Sequence, residues 1–319
     1  MTFRKLTVYL HPADVLVIAF GLSLSLVNLA FSSRIPLSRL LILINCLVSV
    51  AVCMLAYARN VNSSRVLIFI HDWYVAPIAF FSFKELYLMI NPIHFGRDYD
   101  DLLIEVDRWL FGGDPTQWLM QIANPLLTEI LQIAYTSFYF LFLILGFELY
   151  RRHHPDMFHY FMFTCVYGFF LSYLGYFFLP AVGPRFTLHE FASLDTELPG
   201  LLLTPYLRWF VNAGGSVPIG VPSEIAIAGA QRDVFPSGHT MMTLVLIYLS
   251  AKLNARVRHF IFVTGTLLII ATVYQRYHYV VDLIAGAAFM AFCVLTSSKL
   301  YAYLKMQLQT IERPVSSKH

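Results

Sequence analysis

Three short stretches of this chain hold residue types that together could handle a phosphate group. The first is Asp233-Val-Phe-Pro-Ser-Gly-His-Thr240, directly before an apolar run. Pro236 and Gly238 bend the chain there. Ser237 and the backbone N–H groups after it then lie at a helix N-terminus, where the dipole and unpaired donors favour an anion. His239 sits within reach of the same anion, whereas Ser237 by itself is equally an ordinary N-cap. The second stretch is Tyr274-Gln-Arg-Tyr-His-Tyr-Val-Val-Asp282. His278 and Asp282 are four apart, so one carboxylate oxygen can hold an imidazole nitrogen, fix its tautomer and leave the other nitrogen free to attack. A structural His–Asp hydrogen bond between packed helices has the same spacing. One His and one Asp make a poor metal site, so no metal is expected. The third stretch is Leu179-Pro-Ala-Val-Gly-Pro-Arg-Phe186, whose stiff turn presents Arg185. Its guanidinium either grips two phosphate oxygens or snorkels to lipid headgroups.

The elements that carry these stretches are membrane helices. The chain has 319 residues, 58% hydrophobic and 13% charged, about half the charged share of a soluble domain. A net charge of +3, with no basic run interleaved with aromatics, is too small to argue for nucleic acid, and no nucleic-acid partner is expected. A spanning helix needs about 20 mostly apolar residues. Eight segments qualify: Ala13–Phe31, Leu37–Ala58, Val66–Leu88, Leu126–Phe147, Phe158–Leu179, Phe235–Leu253, Val257–Val273 and Val280–Tyr301. The expected fold is therefore an all-α integral membrane protein with about eight transmembrane helices. Arg4 and Lys5 before the first apolar run imitate a signal peptide. The run is long and no small-x-small site follows it, so it reads as a retained span. The four cysteines, Cys46, Cys53, Cys165 and Cys293, lie in apolar stretches and predict no disulfide.

Charge sets the sidedness. With the N-terminus cytoplasmic, the cytoplasmic segments hold Arg4, Lys5, Arg59, Arg65, Arg151, Arg152, Lys252, Arg256, Arg258, Lys299, Lys305, Arg313 and Lys318, which is 13 of the 22 Lys and Arg. Short basic joints, Arg-Arg-His-His at 151–154 and Lys252 through Arg258, are what the positive-inside rule counts. Both termini are then cytoplasmic, and Arg185, His239, His278 and Asp282 share the outer side, facing periplasm, exterior or lumen. Of the two long outer connections, 89–125 alternates acids with bulky apolar residues over Leu102–Leu119, as in an amphipathic helix lying in the interface. The other, 180–234, is rich in Gly and Pro and reads as an irregular cap. In the third span, His71-Asp72 and Lys84-Glu85 either line a lipid cavity or find separate structural partners.

Pro236-Ser-Gly-His239 followed by His278-x-x-x-Asp282, separated by a pair of helices, resembles the type-2 phosphatidic acid phosphatase superfamily over roughly residues 66–301. The resemblance implies a six-helix phosphatase-type core at 66–303, with two additional N-terminal helices at 1–65 and a cytoplasmic tail at 304–319. The superfamily's first motif, Lys-x6-Arg-Pro, is missing ahead of the second. Lys305 through Arg313-Pro314 imitates it with one residue too many and on the wrong side. The Pro-Ala-Val-Gly-Pro-Arg185 turn, Asp107-Arg-Trp-Leu-Phe and Ala134-Tyr135 are instead similar to the inositol phosphorylceramide synthase branch and its bacterial relatives. By position, the resemblance makes His278 the nucleophile, Asp282 its orienting partner and His239 the acid for the leaving alkoxide. Ser237 and Gly238 cradle the phosphate, and Arg185 stands in for the missing arginine. Ala271-Thr272 occupies the place of the family's Ser-Arg, leaving Arg276 as the nearby cation, pointing either into the site or out to headgroups.

The implied chemistry is phosphoryl transfer through a phospho-histidine, without cofactor. Its partner is a membrane lipid: a phospholipid, a ceramide-like lipid or a polyprenyl phosphate. Water as acceptor makes the enzyme a phosphatase, and a lipid or polyol hydroxyl makes it a transferase, toward which the resemblance tilts. Two other classes stay open: a non-catalytic lipid-binding or transport protein, and a metal-dependent membrane hydrolase. The oligomeric state is not legible.

Overall fold

Proline starts and glycine stops many of the helices of this chain. The computed structural model describes residues 9–62, 64–152, 154–218 and 220–312. Arg4, Lys5, His153, Arg313, Pro314 and Lys318, used above for charge and motif, lie outside the described residues. Among the described residues every regular element is a helix. In chain order these are α1 (Pro12–Ala30), α2 (Ser38–Asn62), α3 (Arg65–Trp73), α4 (Val75–Ile93), α5 (Asp100–Phe111), α6 (Pro115–Leu119), α7 (Pro125–Thr136) and α8 (Phe138–Arg151). There follow α9 (Pro155–Gly175), α10 (Pro184–Thr187), α11 (Leu194–Glu197), α12 (Thr204–Gly214), α13 (Ser223–Gly229), α14 (Gly238–Lys252), α15 (Arg258–Tyr274) and α16 (Val280–Glu312).

Among the described residues five helices are long and apolar enough to cross a membrane, counting α3 with α4 as one, and a sixth span results if α7 and α8 are taken together. That is an integral membrane protein with fewer full-length spans than the eight expected. Pro236 keeps the chain out of helix until Gly238, so α14 has 15 residues and a length of about 22 Å against about 30 Å of hydrocarbon. The 17 residues of α15 reach about 26 Å. The fourth expected span is bent by 51° between α7 and α8. At the bend the Ser137 hydroxyl donates to the Ala134 carbonyl at 2.6 Å and Thr136 donates to the Gln132 carbonyl at 2.8 Å. Such back-bonding competes with the helical ladder and bends it.

The connection read as one helix over Leu102–Leu119 is two, because Gly112 takes a left-handed conformation (φ 78°) that caps α5 and Pro115 starts α6. Likewise the 180–234 cap is less irregular than expected, since Pro184 and Pro205 open α10 and α12 instead of breaking them.

The chain divides into two compact units. One comprises Met1–Ile93, Pro155–Phe170 and Phe292–His319. Its α1 buries Val17, Phe20 and Leu24, at helical spacing, and Phe20 stacks on Phe170 with ring centroids 3.9 Å apart. Glu85 accepts hydrogen bonds from Asn28 (3.0 Å) and Asn45 (2.8 Å), joining α1, α2 and α4. Lys84 lies instead over the Phe80 and Phe83 rings, so the adjacent pair does take separate partners. His71 meets Asp14 at 3.1 Å, and Asp72 meets His159 at 3.1 Å and Arg59 at 3.4 Å. All four cysteines are free.

The second unit comprises His94–His154 and Leu171–Ala291. It contains all three stretches that could do chemistry.

Candidate active site

The segment 275–279 connects α15 to α16, and nearly every one of its groups is tied down. Thr272 O accepts from both Tyr277 N (2.9 Å) and His278 N (3.0 Å), while Arg276 takes the left-handed conformation at φ 64°. Gln275 Nε2 donates to Thr128 O at 3.2 Å, and Gln275 Oε1 accepts from the buried Arg208 at 3.1 Å. From the other side comes α5. Asp107 accepts from the N–H groups of Val280 and Val281, both at 2.8 Å, and so closes the N-terminus of α16. Asp100 accepts from Val182 N (3.0 Å), Gly183 N (2.8 Å) and the Tyr279 hydroxyl (2.8 Å). Burial pushes both carboxyls up from the usual range, and these donors oppose the shift.

His278 is buried, with Nδ1 3.0 Å from the Val234 carbonyl and 3.4 Å from Asp282 Oδ2. A carbonyl only accepts, so Nδ1 carries the proton and Nε2 keeps the lone pair. Orientation, expected from Asp282 alone, thus comes first from a main-chain oxygen. Asp282 Oδ2 accepts from Tyr279 N at 2.8 Å, and Oδ1 has no hydrogen-bond partner among the described residues. Burial holds the His278 imidazolium down to about 4, with the Asp233 charge opposing and the Arg185 charge assisting.

His239, on the first turn of α14, is packed against the rings of Tyr135 (centroids 4.7 Å apart) and Phe138 (4.5 Å). Its ring centroid lies 5.9 Å from that of His278, with the planes at 59°. Tyr135 stacks in turn on Tyr277 at 4.3 Å, and the Arg185 guanidinium lies 5.0 Å from the Tyr277 ring centre. Arg185 Nη1 donates to Asn212 at 2.9 Å, and Arg185 N donates to Arg276 O at 2.9 Å. The structure therefore brings His239, His278, Asp282 and Arg185 into one neighbourhood.

The remaining three predicted residues stand differently. Ser237 caps α14: its hydroxyl oxygen accepts from Thr240 N at 3.2 Å and its own N–H donates to Asp282 O at 2.9 Å. Gly238 is demanded by packing, since a Cβ there would come 2.2 Å from the Tyr176 hydroxyl and 2.9 Å from Ser172 Oγ. Arg276 is fully buried rather than turned out to headgroups. Its Nη1 lies 2.6 Å from Glu197 Oε2 on α11. None of its three guanidinium nitrogens makes a hydrogen bond of ordinary geometry among the described residues.

Several residues of the site were not singled out as such from the sequence. Asp100, Asn212 and Val234 act through partners far along the chain, which spacing cannot reveal. Glu129 is another: it accepts from the N–H groups of Leu201 (2.9 Å), Leu203 (2.6 Å) and Thr204 (3.2 Å) and from the Thr204 hydroxyl (2.6 Å), fastening the 180–234 cap to α7. An acid within an apolar run was the available signal. Among the described residues no group of three or more His, Cys, Asp and Glu could hold a metal ion.

A family model described as the PAP2 superfamily matches residues 101–296, more than half of the chain. No curated protein and no solved structure matches it.

Proposed function

The chain belongs to the PAP2 superfamily, whose members are generally phosphatases, and on that premise we propose that it is a metal-independent lipid phosphotransferase or phosphatase working through a phospho-histidine. One observation carries the reading. The Val234 carbonyl 3.0 Å from His278 Nδ1 leaves Nε2 as the nucleophilic nitrogen, with a second imidazole 5.9 Å away between ring centres.

In the first step the Nε2 lone pair forms a bond to phosphorus while the bond to the leaving oxygen breaks, and protonated His239 gives that oxygen its proton. Arg185 and the Nε and Nη2 donors of Arg276 stabilise charge on the non-bridging oxygens, assisted by the Ser237–Gly238 N-terminus of α14. Asp282 supports His278 from its second position at 3.4 Å. In the second step His239, now neutral, takes the proton of an acceptor hydroxyl as its oxygen displaces His278 from phosphorus. The inositol phosphorylceramide synthase-like features favour a lipid or polyol acceptor over water.

The charge distribution supports a site on the non-cytoplasmic face with both ends of the chain cytoplasmic. We read the short helices α14 and α15 as two further membrane crossings, the sixth and seventh of eight in chain order if α7 and α8 count as one, with a core at 66–303, two additional helices within 1–65 and a tail at 304–319.

Trapping tests the reading. Quenching turnover of a lipid labelled in its phosphate is expected to leave acid-labile label on His278. His278→Ala should lose the label and at least about 10⁴-fold of the turnover. Full turnover by that variant would refute the nucleophile. His239→Ala should lose more with a poor leaving group than with a good one, and equal losses would remove its acid role.

A further inference from the structure

The twelve residues of α5 divide its circumference into three sectors. Asp100, Leu103, Ile104 and Asp107, at i, i+3, i+4 and i+7, are all buried. Leu103 and Ile104 pack in a cluster with Ala181, Val234 and Tyr279. The two carboxylates hold the 182–183 turn, the Tyr279 hydroxyl and the start of α16. The outward half is not uniform. Leu102, Val106, Trp109 and Leu110 (i, i+4, i+7, i+8) form an apolar flank, of which Trp109 is 82% exposed. Asp101, Glu105 and Arg108 (i, i+4, i+7) form a charged, exposed flank beside it.

A helix bathed in water has no use for an exposed apolar flank with a tryptophan in it, and one sunk in acyl chains cannot keep three charges. Apolar and charged flanks side by side, parallel to the helix axis, match an element lying along the boundary between lipid and water, with tryptophan at headgroup level. We infer that α5 is seated in the lipid–water boundary and that, through Asp107 and Asp100, it sets the position of the His278 segment against that boundary. Asp107 is then a positioning residue. It touches no substrate, but it fixes the first turn of the helix two residues beyond His278. The consequence is a nucleophile held in register with the plane where lipid phosphates lie, so that reaction with a membrane-bound phosphate depends on the lipid-facing flank of α5 as reaction with a dissolved one does not.

This inference rests on the phospho-histidine reading, and the two can fail separately. The full chain is reconstituted in phosphatidylcholine vesicles containing labelled phosphatidic acid, and the rate of histidine labelling in a single turnover is compared with hydrolysis of a water-soluble aryl phosphate. Asp107→Ala is expected to slow labelling by about 10- to 100-fold, with KM within about twofold, because a small misplacement of the attacking group costs that much. Asp107→Asn, which keeps one acceptor oxygen, should recover most of the loss. Leu102→Glu with Trp109→Glu should cost about tenfold on vesicles and nothing on the soluble substrate. Labelling of Asp107→Ala at the wild-type rate overturns the positioning role. A Leu102/Trp109 variant with unchanged vesicle rates, or with equal losses on both substrates, overturns the lipid seat. If instead the wild-type chain gives no labelled histidine while His278→Ala turns over normally, the phospho-histidine reading itself has failed.

Discussion

The first unit and the second each bury a cluster of histidines, aspartates and an arginine, and the two clusters are finished differently. In the first, His11, Asp14, Arg59, His71, Asp72, Tyr74 and His159 come from α1, α2, α3 and α9 and the residues at their ends. Each of the seven side chains has a polar partner: Arg59 with His11 and His71, His71 and Tyr74 with Asp14, His159 with Asp72. In the second, Arg276 is fully buried and ion-paired through Nη1 to Glu197 Oε2 at 2.6 Å, while among the described residues its Nε and Nη2 and one oxygen of Asp282 have no hydrogen-bond partner. Unpaired buried polar groups are expensive and rare. A closed network is a fastening between helices. An open one keeps donors, here Nε and Nη2 of Arg276, that an incoming oxygen-rich group can still engage.

Swapping the same change between the clusters should separate the two roles. The largest contrast is expected between His239→Ala and His71→Ala. The first should cost about 10²- to 10⁴-fold in kcat with an unchanged melting temperature. The second should lower the melting temperature while the surviving protein keeps its specific activity. If both lose only stability, the distinction collapses. Next, Arg276→Met should lower kcat by about 10²-fold. Arg59→Met leaves Asp72 short of a cation and should destabilise by about 3 kcal/mol, read by denaturation in detergent.

A smaller effect is expected at Asp282. Because a main-chain carbonyl already sets the His278 tautomer at 3.0 Å, Asp282→Asn should cost about tenfold rather than the roughly 10⁴-fold seen where the carboxylate alone fixes the ring. A 10⁴-fold loss would restore Asp282 to the leading role.

The mildest test is the acid limb of kcat/KM. Attack requires neutral His278, whose folded-state value is held down to about 4 from an ordinary 6.5. The neutral form therefore persists as pH falls through 6.5, and the rate should begin to drop only near pH 4. A limb centred near 6.5 would show that the imidazole is not shielded as the geometry requires.

The chemistry-bearing residues were legible because each lies in a short, ordered motif: Pro236 to His239, His278 to Asp282, and Arg185 in its turn. Helix identity was legible for the same reason, that hydropathy is local. Spans were less so. Pro236 and Ser137 alter length and straightness, through a lost N–H and a competing hydroxyl, without changing the average hydropathy of the window. What sequence could not disclose is pairing across distance. Asp107 was marked only by likeness, and its bonds to Val280 and Val281 join positions more than 170 residues apart. The Val234 carbonyl has no side-chain signature at all.

Glu129 bears on what the chain can tolerate. One carboxylate collects the main-chain donors of Leu201, Leu203 and Thr204, so the spacing of those residues is a ruler that an insertion would miscount. Lengthening the cap by a residue at 201–203 should unseat α12, and with it the Asn212 that holds Arg185. The exposed turn at Gly220, with nothing within 4 Å of where a side chain would begin, should accept the same extra residue quietly. Variation in such caps is thereby channelled to a few permissive corners.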